Sequence, residues 1–367
     1  MSGDAQAEMN LTLEVQRNDL GRARIFEEPL APPGPGEVQM RVERFALTAN
    51  NITYGVIGEM LGYWDFFPAP EREQGWGRLP AMGWAEVVAS EAEGLEPGGR
   101  YYGCYPMARY CAFKATPTAD GIRDDSPLRS EHAPVYRAYV ETAADPLHEP
   151  GEEAEDRHAL LRGLFATAYL ADDFFAEADY FGASTAIVLS ASSKTAIGYA
   201  QRASKRGVEQ IIGLTSARNR AFVEGLGLYT SVLSYGEESE LPTERAVLID
   251  MAGNGEVLEA VHAHLGDRLE HSMVVGMSHH DADRGPVSAG PQPQVFFAPE
   301  QIKKRSAELG REEYQRRLGA ALEEFVAASP DWLGIERSSG PEAASAAYGD
   351  VFEGKTPPSA GRIVSLH

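Results

Sequence analysis

The sequence predicts an α/β protein in which a doubly wound parallel sheet follows an irregular all-β region. Three observations carry this. Residues 185–235 read as strand, tight turn, helix, strand and polar cap. Beyond Tyr235 strands and helices keep alternating, while residues 11–146 show short alternating strands cut by proline and glycine.

In chain order, residues 11–15 (LTLEV) alternate as a strand, 29–36 (PLAPPGPG) form a turn-rich connector, and 37–42 alternate again. Further short strands fall at 85–90 and 100–105. The acidic run 149–156 (EPGEEAED) reads as a solvated linker, and 156–178 as a helix leading into the second half. Residues 186–189 (AIVL) are short, apolar and β-branched, as a buried parallel strand should be. A small-residue turn, 190–196, precedes a helix to Arg206, which Gly207 stops. Residues 208–214 form the next strand, and Thr215-Ser216 cap a helix reaching Leu226. Strands at 246–250 and 271–276, with helices at 255–265 and 312–328, continue the pattern.

A strand, turn, helix and strand in this order make the βαβ unit that binds dinucleotides. The turn aims backbone N–H groups and a helix N-terminus at a pyrophosphate, which both favour. Ser192, Ser193 and Lys194 occupy that turn. At the tip of the second strand an acidic residue would take the ribose 2′-hydroxyl of NAD. Here the tip carries Thr215, Ser216, Arg218 and Arg220 and no carboxylate, which suits the 2′-phosphate of NADP(H). The blander alternative is a plain helix cap followed by a solvated basic face. The turn also lacks glycine before Gly198, so it either binds phosphate through hydroxyls or has closed against it.

The chain has 367 residues, 43% of them hydrophobic, enough for two domains with sizeable cores. Its formal charge of −22 disfavours nucleic acid and anionic membranes as partners. Two cysteines, Cys104 and Cys111, point to a reducing compartment. Residues 1–13 show no basic-then-apolar leader, and no run is long enough to span a bilayer, so a cytoplasmic location is expected.

A collinear set of short motifs then emerges. It comprises Pro35-Gly36-Glu37-Val38, the segment 46–62, Gly99-Arg100-Tyr101-Tyr102-Gly103, Arg109-Tyr110-Cys111-Ala112-Phe113 and Thr167-Ala168-Tyr169. It continues with Tyr235, Asp250, residues 272–277, Phe296-Phe297 and the C-terminal Gly354-Lys355 and Gly361-Arg362-Ile363-Val364. In this order the chain resembles the medium-chain dehydrogenase/reductases, and within them the zinc-independent quinone oxidoreductases and enoyl-thioester reductases. The usual N-P-x-D is replaced by Asn50-Asn51-Ile52-Thr53.

The resemblance implies a GroES-like β-barrel catalytic domain over residues 1–155, with 305–367 returning to it in part. It implies a Rossmann domain over 156–304, an active site between the two, and hydride transfer from NADPH to a small-molecule substrate. Cofactor contacts are expected from Thr167, Ser192, Ser193, Lys194, Ser216, Arg218, Tyr235, Gly276 and Phe297. For Thr167 the alternative is a helix-interior hydroxyl bonded to its own backbone. For Tyr235 it is a plain strand end, and for Phe297 a core aromatic.

Catalytic zinc in this family needs a Cys and His set, which Cys104 and Cys111 cannot complete; His279, His280, Asp281 and Asp283 read as a loop, so no metal is expected. Proton donation then falls to a phenol, Tyr63 or Tyr54, with Asn50 holding substrate or cofactor by its amide. The alternative is an aromatic lid or core around Tyr63, Trp64, Phe66 and Phe67. A homodimer joined through the strand at 272–275 is also expected from the family. Two functions are therefore carried: an NADPH-dependent reductase of an enone, quinone or acyl thioester, and a non-catalytic nucleotide-binding or scaffolding protein on the same fold.

Overall fold

Alternating strands in the N-terminal part close into a barrel. The computed structural model describes residues 8–251, 253–276 and 287–367. It divides into two units, Met1–Leu160 with Ile335–His367 and Leu161–Gly334.

In the first unit, β1 (Met9–Gln16) pairs antiparallel with β2 (Asp19–Pro29). After β3 (Glu37–Leu47) come helices α1 (Ala49–Val56) and α2 (Gly58–Leu61) and the short β4 (Trp76–Gly77). Then follow β5 (Pro80–Ser90), β6 (Arg100–Pro106), β7 (Tyr110–Thr118), β8 (Gly121–Asp124) and β9 (Ala138–Glu141). The antiparallel order β3-β5-β6-β9-β8-β7 returns to β3, closing the GroES-like barrel, and the C-terminal strand Ala360–Ser365 pairs with β3. Closure removes the open edges a sheet would otherwise expose. Val38, Met40 and Val42 alternate inward with Tyr105, Phe113 and Tyr139 to fill it. Gly103 is required there, because a Cβ would lie 2.2 Å from the Tyr139 ring.

Residues 149–153 are exposed, as a solvated linker would be, but Glu155 and Asp156 at the end of the run are buried. Helix α3 (Glu152–Glu177) starts inside that run. Arg44 lies 2.7 Å from Asp156, which also meets Arg337 at 2.6 Å. Glu155 accepts from Arg100 at 2.9 Å, and the Trp84 indole donates to its backbone carbonyl. Guanidinium groups on β3 and β6 make burial of these carboxylates affordable, which composition alone does not reveal.

In the second unit, β10 (Thr185–Leu189), α4 (Lys194–Arg206), β11 (Gln210–Thr215), α5 (Arg220–Gly225) and β12 (Ser231–Ser234) form one half. β13 (Ala246–Asp250), α6 (Gly255–Leu265), β14 (Leu269–Val274) and β15 (Gln294–Val295) form the other, followed by α7 (Ala298–Leu309) and α8 (Arg311–Ala328). The sheet is parallel throughout, ordered β12-β11-β10-β13-β14-β15. Every residue of β10 and β13 is buried, as helices on both faces require. This is the Rossmann order.

Two details differ from expectation. The strand at 272–275 is not a sheet edge, because Met273 and Val274 pair with Gln294 and Val295 of β15. And before β10, Asp179, Tyr180, Phe181 and Gly182 all have positive φ (48°, 47°, 55° and 74°), one turn of left-handed backbone. The Tyr180 hydroxyl holds it by donating to Asp172 at 3.0 Å, and the Phe181 ring stacks on His271 at 4.7 Å.

Candidate functional site

The turn after β10 is bound to itself. Ser190 has φ 54°, the conformation that favours glycine, and its hydroxyl lies 3.1 Å from the Tyr235 phenol. Ser192 Oγ accepts from Thr215 Oγ1 at 3.3 Å and from Asn219 Nδ2 at 3.1 Å. Ser193 is the N-cap of α4, accepting from the Ala196 N–H at 3.2 Å. Lys194 opens α4, and burial lowers its ammonium to about 8. A Cβ at Gly213 would lie 2.9 Å from both Ala191 and Tyr229, so the glycine that allows close approach sits on β11 rather than in the turn.

At the end of β11, Ser216 precedes a single 3-10 turn, Ala217–Asn219, and its buried hydroxyl makes no hydrogen bond. Arg218 is exposed. Arg220 is engaged by Glu224 and Glu237, both at 2.9 Å. A carboxylate therefore does reach this strand tip, from the end of β12 rather than from β11. On the other side of β10, the Asp250 carboxylate accepts from Gly253 N–H at 2.8 Å. Thr167 Oγ1 donates to Gly163 O at 3.3 Å within α3. Gly276 follows β14, and Phe297, 37% exposed, precedes α7.

The tyrosines gather in the first unit. Asn51 caps α1 by accepting from Thr48 N–H at 2.7 Å and donates to Pro80 O at 2.8 Å. That fixes α1, which carries Asn50 and Tyr54 one helical turn apart. The rings of Tyr54 and Tyr63 meet edge to face at 4.8 Å. Tyr136 joins them, its hydroxyl 3.3 Å from that of Tyr63, its ring 6.2 Å from Tyr54 and 5.1 Å from Phe66. Behind them Arg129, 2% exposed, pairs with Asp124 at 3.0 Å, donates to the Tyr139 hydroxyl at 2.8 Å and lies over Phe67 at 4.6 Å. Burial raises the Tyr54, Tyr63 and Tyr136 phenols above their ordinary range. It also raises the Cys104 and Cys111 thiols to about 11 and about 12.

The structure thus joins Tyr63, Tyr54 and Asn50 in one cluster and Ser192, Ser193 and Lys194 in one turn. Sequence reading missed Tyr136 and Arg129. No motif surrounds either, and only barrel closure brings residues 129–139 against 54–67. Among the described residues no group of His, Cys, Asp or Glu side chains is arranged to hold a metal. His279, His280, Asp281 and Asp283 lie outside the described residues.

A family model described as protein of unknown function DUF2855 matches residues 45–357. The chain belongs to that family. No curated protein matches this DUF2855 member. Its fold is shared with solved structures at low identity. CurA from Vibrio vulnificus, solved with NADPH, is 15% identical with a TM-score of 0.56, covering 99% of each chain. A putative NADPH:quinone reductase from Mesorhizobium loti is 14% identical with a TM-score of 0.60, covering 98% of this chain and 99% of its own. Mycobacterial Rv1454c, also solved with NADPH, is 18% identical with a TM-score of 0.58, covering 97% and 99%. The DUF2855 chain therefore shares the fold of these solved structures, a GroES-like barrel with a Rossmann unit.

Proposed function

We propose that this protein is an NADPH-dependent reductase of an activated C=C or C=O, with an enone, quinone or acyl thioester as substrate, working without zinc. The observation that carries the reading is the start of α4. Its N-terminus and Lys194 follow β10, at the point where the sheet order reverses between β10 and β13. Ligands of doubly wound sheets bind at such switch points. Ser193, Lys194 and the α4 N–H groups would hold the pyrophosphate, and Ser216 with Arg218 the 2′-phosphate. The NADPH held by CurA and by Rv1454c, on the same fold, supports this choice.

NADPH, when bound, supplies a hydride; the protein must add a proton or polarise an oxygen. Tyr63 is assigned that role, with Tyr136 holding its hydroxyl and Asn50 and Tyr54 completing the chain of polar groups. Burial weakens the acidity of these phenols and so keeps them protonated, hence donors, at neutral pH. Two cysteines alone do not complete a catalytic or structural zinc ligand set, which supports the zinc-free reading.

A second reading, nucleotide binding or scaffolding without hydride chemistry, is favoured by one feature. The turn hydroxyls Ser190 and Ser192 are already bonded within the protein. Titration with NADPH and with NADH, followed by nicotinamide fluorescence, separates the readings. Micromolar NADPH binding, weaker NADH binding and loss of affinity in Arg218→Ala and Lys194→Ala are expected. Turnover is then sought with enones, quinones and thioesters. NADPH binding without turnover across that panel would favour the second reading. Failure of both nucleotides to bind would overturn the cofactor assignment.

A further inference from the structure

A concavity of about 530 Å³ lies among α3, α4, α7 and α8 of the second unit, lined by Tyr169, Asp173, Arg202, Arg206, Arg305 and Arg317 among others. Arg202 and Arg206 are eight and twelve residues beyond Lys194, so the basic wall stands about two to three helical turns along α4 from the phosphate turn. At about 1.5 Å per residue, Arg206 lies on the order of 18 Å along α4 from Lys194. The concavity is therefore separate from the dinucleotide turn.

Its cations outnumber the carboxylates placed to neutralise them. Arg202 and Arg206 share one oxygen of Asp172, at 3.7 and 2.7 Å. Arg316 and Arg317 share Glu313, at 2.8 and 2.6 Å. Arg305 meets Asp173 and Glu308, both at 2.6 Å, while Glu177 and Glu324 at the margin are taken by Lys304 and Lys205. Arg206 also reaches Asp173 at 3.7 Å, the carboxylate that Arg305 uses, so Arg202, Arg206 and Arg305 divide Asp172, Asp173 and Glu308 while the α8 pair has Glu313 alone. The buried Arg202 Nε makes no hydrogen bond, although its guanidinium lies over the Tyr169 ring at 5.3 Å. The buried Tyr314 hydroxyl is likewise without a partner, and it is close enough to Tyr169 and Asp173 to feel their charge. Of these two residues only Arg202 lines the concavity, and a guanidinium N–H there is costly while it stays unpaired.

We propose that this concavity binds a phosphate monoester through Arg202 on one side and the Arg316–Arg317 pair on the other. Guanidinium forks match phosphate oxygens, and the dianion answers the Arg316–Arg317 pair, which has Glu313 alone, together with Arg202, whose Nε is unpaired. A soluble phosphate is favoured over a lipid headgroup, because a chain of net charge −22 is repelled by an anionic bilayer.

Calorimetric titration with inorganic phosphate tests this, using the full chain, Arg202→Gln, Arg317→Gln and Lys194→Ala. Arg317 is 48% exposed, so its substitution leaves the packing intact. Saturable binding is expected, weakened roughly tenfold by either arginine change, unchanged by Lys194→Ala, and weaker once acidification converts the phosphate dianion to the monoanion. Hydrogen exchange in α8 should slow on phosphate addition. No binding, binding indifferent to both arginine changes, or binding lost only with Lys194→Ala would overturn the site. Capture by phosphatidic acid vesicles without binding of free phosphate would overturn the soluble ligand.

Discussion

The Ser190 hydroxyl stands 3.1 Å from the Tyr235 phenol, tying the turn after β10 to the end of β12. Ser190 holds a positive φ to reach it, at a cost of order 1–2 kcal/mol for a residue with a Cβ. Ser190→Gly removes that strain but also the hydrogen bond, and adds freedom to the unfolded chain. These terms offset to within about 1 kcal/mol. Chemical unfolding should therefore show little change, while NADPH titration shows tighter binding, because the space over the turn opens.

Lys194 gives the nucleotide site a pH dependence. Its folded-state value, about 8, lies below its ordinary 10.5. Between those values the unfolded chain binds more protons than the folded one, so this residue makes stability rise with pH there. Ligand binding goes the other way: the cation that attracts phosphate is lost as pH rises through about 8. NADPH affinity measured on either side of that value should fall, and Lys194→Arg should flatten the profile.

Tyr63→Phe and Tyr136→Phe should separate chemistry from positioning. Removing a general acid costs about 10²–10⁴ in rate. Tyr63→Phe should show that loss in single-turnover NADPH oxidation at saturating substrate. Tyr136→Phe should lose less and leave nucleotide affinity unchanged. Equal, small effects from both would remove Tyr63 from the chemistry and leave the cluster a packing feature.

The left-handed turn at 179–182 makes a stability prediction. Tyr180→Phe deprives the buried Asp172 carboxylate of a donor at 3.0 Å and should cost about 1–3 kcal/mol in chemical unfolding. Asp179→Gly should be neutral or stabilising, since glycine accepts φ 48° without strain.

Glu155 links acidity to the first unit. Burial alone would raise its carboxyl, but hydrogen bonds from Arg100 and His148 and the Arg100 and Arg44 charges hold it at about 2. A depressed value contributes stability above the unfolded value of 4.5, which is lost as pH falls toward 2. The stability advantage of the parent over Glu155→Gln should therefore be largest near neutral pH and shrink on acidification.

Local pattern determined much of this protein. The apolar runs 186–189 and 246–249 mark central parallel strands, and glycine after α4 marks its end; with the alternating 37–42 strand these marked both kinds of sheet. The turn that holds Ser193 and Lys194 was legible for the same reason, since turn and helix-dipole chemistry act within a few residues, whereas the Ser193 cap emerged only from the structure. Tertiary structure alone decided the rest. Residues 149–156 look solvated until β3 and β6 bring Arg44 and Arg100 to Glu155 and Asp156. Tyr136 has no signal in its neighbours and gains meaning only from a hydroxyl 73 residues away, at Tyr63. The strand at 272–275 looks like an edge until β15 covers it. Short-range propensity and capping are written in adjacent residues, whereas burial, charge pairing and strand adjacency depend on partners that only the closed chain supplies.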